Sequence, residues 1–184
     1  TPLTAAILVM ISAQAMADDS LSNQNQAGTA NIADVKQTQA PFSTATQTQL
    51  GQGNDAAAVQ DHATSVITQD AVGDYNAAYA EQLYEDNATI TQQQAGAFNT
   101  AHASQSLGFG SPNSALQQQQ GTGNFSFVYQ DSQNGSEGKT LQFGDSNEAN
   151  IEQLYEGVGN SSVITQYATA NYVTAEQVLH NGGQ

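Results

Sequence analysis

The 184-residue sequence has no cysteine, no tryptophan and only two basic residues, Lys36 and Lys139. The absence of cysteine excludes disulfides, so other interactions must stabilise any folded form. Seventeen acidic residues stand against the two lysines, and the formal net charge is −15. A polyanion of this kind cannot neutralise phosphate groups, so we expect neither nucleic acid nor an anionic membrane surface as a partner.

Large apolar side chains are also scarce. Alanine supplies much of the 38% hydrophobic share, whereas the chain contains 26 glutamines and 15 asparagines. A conventional globular core would not bury enough apolar surface to offset the entropy of ordering such a chain. Two alternatives remain open: the free chain is disordered, or it folds around a polar core in which amides hydrogen-bond to one another.

One spacing recurs along nearly the whole chain: seven asparagines are each followed, six residues later, by a glutamine. The pairs are Asn31 with Gln37, Asn54 with Gln60, Asn76 with Gln82, Asn99 with Gln105, Asn124 with Gln130, Asn147 with Gln153 and Asn171 with Gln177. The interval between successive asparagines varies from 22 to 25 residues, whereas the spacing within a pair never changes. A constant core joined by segments of variable length predicts a stacked repeat.

The full repeat indicates two strands. It reads S-x5-Q-x-G-x2-N-x-A-x3-Q, and the units that begin at Ser20, Ser43 and Ser136 match every position. The serine and the first glutamine lie an even number of residues apart, as do the asparagine, the alanine and the last glutamine. Each group therefore projects from one face of an extended strand. A further set of glutamines falls on the same inner face: Gln24, Gln47, Gln69, Gln92 and Gln117.

The glycine three residues before each asparagine is interpreted as the break between the strands, because glycine tolerates positive φ. The predicted turn glycines are Gly28, Gly51, Gly73, Gly96, Gly121 and Gly144. We assign the repeats to residues 20–42, 43–64, 65–87, 88–112, 113–135, 136–159 and 160–184, within one solenoid domain spanning 18–184.

A single strand-turn-strand arch cannot bury its inner face, but stacked arches can. The sequence therefore predicts an all-β fold, a β-solenoid of seven arches that stacks further into a cross-β fibre. Arches about 4.8 Å apart would place each asparagine and glutamine over its equivalent, so that their amides form hydrogen-bonded ladders. The predicted ladder residues are Gln26, Asn31, Gln37, Gln49, Asn54, Gln60, Asn76, Gln82, Gln94, Asn99, Gln105, Gln119, Asn124, Gln130, Gln142, Asn147, Gln153, Gln166, Asn171 and Gln177.

Residues 1–17 differ from the repeats. The run from Leu3 to Ala13 is apolar and has the length of a signal-peptide core, and Ala15-Met16-Ala17 is typical of a cleavage site. The run is too short to span a bilayer. We therefore expect residues 1–17 to be a signal peptide that is truncated at its N-terminus, and the exported chain to begin at Asp18.

The unit resembles the curlin repeat of curli fibre subunits, which form functional amyloid on Gram-negative bacteria. The resemblance covers residues 20–177. It implies a secreted structural subunit of an extracellular biofilm fibre, with itself as main partner. It also implies a nucleator subunit, a periplasmic chaperone and an outer-membrane secretion pore as further partners. The last repeat contains Glu176 and no lysine or arginine, which favours the major, polymerising subunit over the minor nucleating one.

Two departures from the family pattern stand out. The chain has seven repeats where the best-known members have five, and Asp18 leads almost directly into the first repeat. In the major subunits of the family, a longer N-terminal stretch precedes the first repeat and is recognised by the secretion pore.

Other functions are less compatible with the sequence. His62, His102 and His180 occupy unrelated positions of the repeat, so we expect no metal site, no cofactor and no enzyme activity. An ice-binding solenoid is an alternative because outward threonines cluster early in the chain. They are Thr44, Thr46, Thr48, Thr68, Thr89 and Thr91. Leu116, Lys139 and Leu141 take the equivalent places in later repeats, which weakens that alternative.

Overall fold

The computed structural model describes residues 19–108, 112–154 and 158–178. These residues form fourteen β-strands in two parallel sheets of seven. Sheet A contains β1 (Leu21–Thr29), β3 (Thr44–Gln52), β5 (Thr64–Asp74), β7 (Asp86–Ala97), β9 (Ser114–Thr122), β11 (Glu137–Phe143) and β13 (Ser161–Tyr167). Sheet B contains β2 (Ile32–Thr38), β4 (Asp55–Asp61), β6 (Ala77–Leu83), β8 (Thr100–Ser106), β10 (Phe125–Asp131), β12 (Glu148–Leu154) and β14 (Tyr172–Val178).

Each rung consists of one strand of sheet A followed by one strand of sheet B. The chain alternates between the sheets, and each strand pairs with the corresponding strand of the next rung, as β1 does with β3. The result is a β-solenoid of seven rungs, which confirms the predicted all-β solenoid. The predicted signal peptide, residues 1–17, and the expected start at Asp18 lie outside the described residues. The described residues include no helix long and apolar enough to cross a membrane.

Inner and outer faces alternate along each strand. In β3, Ala45, Gln47 and Gln49 are buried, whereas the threonines between them are partly exposed. The same alternation recurs in β4, where Ala56 and Ala58 are buried. Since the side chains of a strand point to opposite faces in turn, the even spacing places the serine, the glutamines, the asparagine and the alanine of the repeat between the sheets.

Apolar side chains in the core have complementary sizes. In rungs 3 and 4 the large side chains, Ile67 and Ile90, come from sheet A, and alanines occupy the equivalent column of sheet B. In rung 6 the arrangement is reversed. A Cβ added to Gly138 would lie 2.6 Å from Val128 Cγ1 and 3.6 Å from Ile151 Cγ2. Close packing of this kind fills a narrow space without voids or overlap.

The corners correct the expectation about the turn glycines. All six have positive φ, between 117° and 127°, but Gly28, Gly51, Gly73, Gly96 and Gly121 still lie within strands. The left-handed corner residue is instead the one directly before each asparagine, with φ between 55° and 67°. These corner residues are Ala30, Gly53, Tyr75, Phe98, Gly123, Ser146 and Ala170.

Close backbone contact between rungs explains why glycine recurs three residues before the asparagine. A Cβ added to Gly51 would collide with the carbonyl oxygen of Gly73 in the next rung, and the same collision recurs along the column. A carbonyl oxygen belongs to the backbone and cannot move aside like a flexible side chain. The glycine column therefore permits close stacking of the rungs, besides allowing positive φ.

Candidate functional site: the amide ladders and the open ends

The asparagines form one continuous ladder from Asn31 to Asn171. Asn76 is typical of its members. Its backbone N and its Nδ2 both donate to Oδ1 of Asn54 in the preceding rung, at 3.0 and 3.1 Å. Its Nδ2 also donates to the carbonyl oxygen of Gly96 in the following rung, at 3.0 Å. The asparagine therefore connects three rungs and is bound to the glycine column.

The glutamines of sheet B form a second continuous ladder, from Gln37 to Gln177. Each Nε2 donates to Oε1 of the equivalent glutamine in the following rung, at distances between 2.7 and 3.0 Å. This ladder donates towards the last rung, whereas the Oδ1 atoms of the asparagine ladder accept from the following rung. Because the hydrogen bonds of each ladder all run the same way, the two ends of the solenoid present different donors and acceptors.

The first-strand glutamines of the repeat form an interrupted ladder. Gln26 donates to Gln49 at 2.7 Å, and Gln94 begins a second run that continues to Gln166. Ala71 lies between the two runs. Oε1 of Gln94 is buried and, among the described residues, has no hydrogen-bond partner. An unpaired buried acceptor costs about 1–3 kcal/mol, so the solenoid tolerates this gap in the ladder.

A fourth ladder was not among the predicted ladder residues, although its members were placed on the inner face. It runs from Gln24 through Gln47, Gln69 and Gln92 to Gln117, with Nε2–Oε1 distances between 2.7 and 3.1 Å. The available signal was their position, two residues before the repeat's first glutamine. Thr140 ends this ladder, since its hydroxyl bonds Ser126 Oγ at 2.5 Å.

The inner face of the solenoid is least buried at its two ends. In β1, Ser22 is exposed and Gln24 and Gln26 are only partly buried. In β14, Val173 is 39% exposed, whereas the equivalent Ala149 of the preceding rung is fully buried. The first and last rungs therefore present ladder amides and core side chains that have no further rung over them in the described structure.

Glu85 is a buried carboxylate that sequence reasoning missed. It is 1% exposed and accepts hydrogen bonds from Gly108 N at 3.0 Å and Asn113 Nδ2 at 3.1 Å. Burial raises its pKa to about 7, an effect that these hydrogen bonds partly oppose and the nearby carboxylates of Asp86 and Asp131 reinforce. The signal for its burial was its repeat position, where the first two repeats have alanine.

The histidines do not converge. His62 Nδ1 lies 2.9 Å from Asp61 Oδ1 at a corner, and its ring stacks on Tyr84. His102 lies between the rings of Tyr79 and Phe127 on the outer face of sheet B, and burial lowers its pKa. His180 lies outside the described residues. Within residues 19–108, 112–154 and 158–178, no three potential metal ligands come together.

No family model, no curated protein and no solved structure matches the chain. The resemblance to the curlin repeat therefore depends on the repeated positions themselves. Chemically, the site consists of aligned amides and of strand edges at the two ends of the described structure, groups that can hydrogen-bond to a further β-strand.

Proposed function

We propose that the protein is the polymerising structural subunit of an extracellular fibre of the curli type. Copies would stack end to end, so that β1 and β2 of one copy extend the sheets that end with β13 and β14 of another. The observation that carries this proposal is the pair of open ends, whose ladder amides and strand edges are complementary to each other.

The glutamine ladders favour head-to-tail stacking. Inside the solenoid, each Oε1 of the sheet B ladder accepts from the rung before it, but Gln37 has no earlier rung beneath it in the described structure. At the other end, Gln177 Nε2 donates to Ser161 O at 3.2 Å, as Gln153 Nε2 does to Glu137 O. Gln153 also donates to Gln177, whereas no further rung of the described structure offers an acceptor to Gln177. A second copy placed head to tail would bring this donor to that acceptor. Two last rungs placed face to face would instead oppose donor to donor.

The asparagine ladder and the backbone favour the same orientation. In the interior, the backbone N and Nδ2 of each asparagine donate to Oδ1 of the preceding rung. Asn171 would offer this Oδ1 to Asn31 of the next copy. All strand pairs within the solenoid are parallel, and head-to-tail stacking alone continues parallel pairing across a joint. Exposed strand edges are known templates for a further strand.

The resemblance extends this proposal to the biological setting. We propose export, assembly at the bacterial surface and a role in biofilm matrix and adhesion. The same resemblance suggests a nucleator subunit, a periplasmic chaperone and an outer-membrane secretion pore as partners. The threonine array supports no second function, because Thr46, Thr68 and Thr91 are aligned in three rungs only, and Leu116 follows them.

Seeded growth of filaments tests the proposed function. Purified residues 18–184 should form thioflavin-positive filaments with a meridional reflection near 4.8 Å, and preformed fragments should shorten the lag. A variant with Ile151→Asp, which places a charge in the core, is the negative control. A chain that stays a soluble monomer across pH, salt and concentration, with or without seeds, would overturn the proposal.

A further inference from the structure

One outward column of side chains on sheet B has opposite charges at the two ends of the solenoid. It lies five residues after the asparagine of each repeat, and strand register defines its members. From the first rung to the last they are Lys36, Val59, Glu81, Ser104, Tyr129, Glu152 and Glu176. The column therefore begins with one of only two basic residues in the chain and ends with two acidic residues.

The last two residues of this column repel each other. Glu152 of β12 and Glu176 of β14 are in direct register, and like charges opposite each other on neighbouring strands are destabilising. Within the strand pairings that the structure describes, this is the one place where two acidic residues face each other. Glu176 is exposed at the outer edge of the last strand, where a cation from a further rung could reach it.

Continuing the strand register across a head-to-tail joint brings such a cation. The column that ends with Glu176 in one copy restarts with Lys36 in the next copy, about 4.8 Å further along the axis. We infer that Lys36 and Glu176 form an intermolecular ion pair at each joint and thereby select the partner, a second copy of this chain, and its register. This inference rests on the proposed function, because it requires head-to-tail stacking.

The other outward columns of sheet B tolerate the same register. Tyr172 would meet Ile32, and Val178 would meet Thr38, so none of these positions opposes like charges. A slip by two residues would place Lys36 opposite Thr174 or Val178 and lose the pair. A slip by one residue would turn the core face outward. The charge pair therefore distinguishes between the registers that the alternation of the strands alone would permit.

Single charge reversals test the pair. Lys36→Glu makes both ends of the column acidic, and Glu176→Lys makes both ends basic. Each variant should elongate its own seeds about three- to tenfold more slowly than the unmodified chain at low salt. A 1:1 mixture should recover much of the rate, because the two variants alternate and every joint then pairs a lysine with a glutamate. The difference should shrink in 1 M NaCl, where exposed charges are screened.

Matched controls separate the pair from net charge. Lys139→Glu changes the net charge as Lys36→Glu does, and Glu81→Lys changes it as Glu176→Lys does, but both sites lie in inner rungs. Far-UV circular dichroism should show the same fold in all four variants. If the end variants elongate as fast as these controls, or if mixing gives no recovery, the ion pair is overturned while the fibre function stands. If the unmodified chain forms no filaments, both proposals fail together.

Discussion

The middle rungs and the end rungs have the same repeat but differ in what covers it. Gln60 and Gln105 have no exposed surface, whereas Gln177 in the last rung is partly exposed. Each of these two middle glutamines has a partner in the rung on either side, whereas Gln177 has one only in the preceding rung of the described structure. The comparison indicates that the same residue type stabilises the solenoid in its middle and, under the proposed head-to-tail stacking, would mediate association at its ends.

The largest expected effect comes from filling the glycine column in the middle. At Gly96, whose φ is 120°, an added Cβ would collide with the carbonyl oxygen of Gly121. Gly96→Ala should lower the free energy of unfolding by about 4 kcal/mol, from backbone strain and overpacking together. Urea denaturation followed by far-UV circular dichroism measures this loss.

A second glycine provides the control for that experiment. Gly123 also has positive φ, at 67°, but its nearest neighbour to an added Cβ is Ser146 Oγ at 3.8 Å. Two other rungs have alanine at this corner, Ala30 and Ala170. Gly123→Ala should therefore cost only about 1 kcal/mol. Equal losses for the two variants would contradict the role of close rung stacking.

Removing one asparagine from the ladder should have different effects in a middle rung and in an end rung. Asn99→Ala deprives the backbone N and Nδ2 of Asn124 of their acceptor and leaves Gly121 O without its donor. Because these groups are buried, we expect a loss of about 3 kcal/mol in unfolding free energy. Asn31→Ala likewise removes the acceptor of Asn54 N and Nδ2, but at the open end water replaces it, so the loss should be only about 1 kcal/mol. This variant should slow seeded elongation instead. An Asn31→Ala variant with normal elongation would exclude the asparagine ladder from the joint.

A pH titration examines the buried charge of the middle rungs. Since the pKa of Glu85 is raised to about 7 in the folded chain, the folded state binds the proton more tightly than the unfolded state does. Its contribution to stability is therefore complete below about pH 4.5 and is lost as the pH rises through 7. We expect a loss of roughly 3 kcal/mol across this window.

Substitution isolates the contribution of Glu85 from that of the other carboxylates. Glu85→Gln should flatten the dependence of the urea midpoint on pH between 5 and 8. Glu148→Gln removes an exposed carboxylate of β12 and should keep the slope of the unmodified chain. An unchanged slope in Glu85→Gln would assign the pH dependence to the general acidic repulsion of the chain.

The repeat spacing predicted the inner face and the ladders, because strand alternation converts an even interval into a shared face. Asn76 and Gln82, six residues apart, are buried in the same strand layer as that rule requires. The left-handed corners were not predictable in the same way. They are occupied by Ala, Gly, Tyr, Phe and Ser in different rungs, so the stacked backbone imposes this conformation and no residue type signals it.

Features that depend on how distant residues align between rungs could not be predicted from the repeat spacing alone. Glu85 is buried because Gly108 and Asn113, from the next rung and the one after it, close over its carboxylate. Similarly, the opposition of Glu152 and Glu176 was visible from the repeat, but its meaning required the identity of the residue that begins the same column. Composition showed an excess of acid, whereas strand register showed that the column ending with Glu176 begins with Lys36.

The smallest expected effect concerns the last position of the glycine column, at the joint between two copies. The last rung has Ala168 where the preceding rungs have glycine, and its φ is 98°. A Cβ at Gly144 would point at the carbonyl oxygen of Ala168, so the methyl group of Ala168 is directed towards the joint, where Gly28 of the next copy would stack.

Ala168→Gly should therefore speed seeded elongation about two- to fivefold and raise stability by about 1 kcal/mol or less. The matched change Ala170→Gly, at a corner that tolerates either residue, should leave elongation unchanged. Unchanged or slower elongation in Ala168→Gly would mean that the joint does not continue the glycine column.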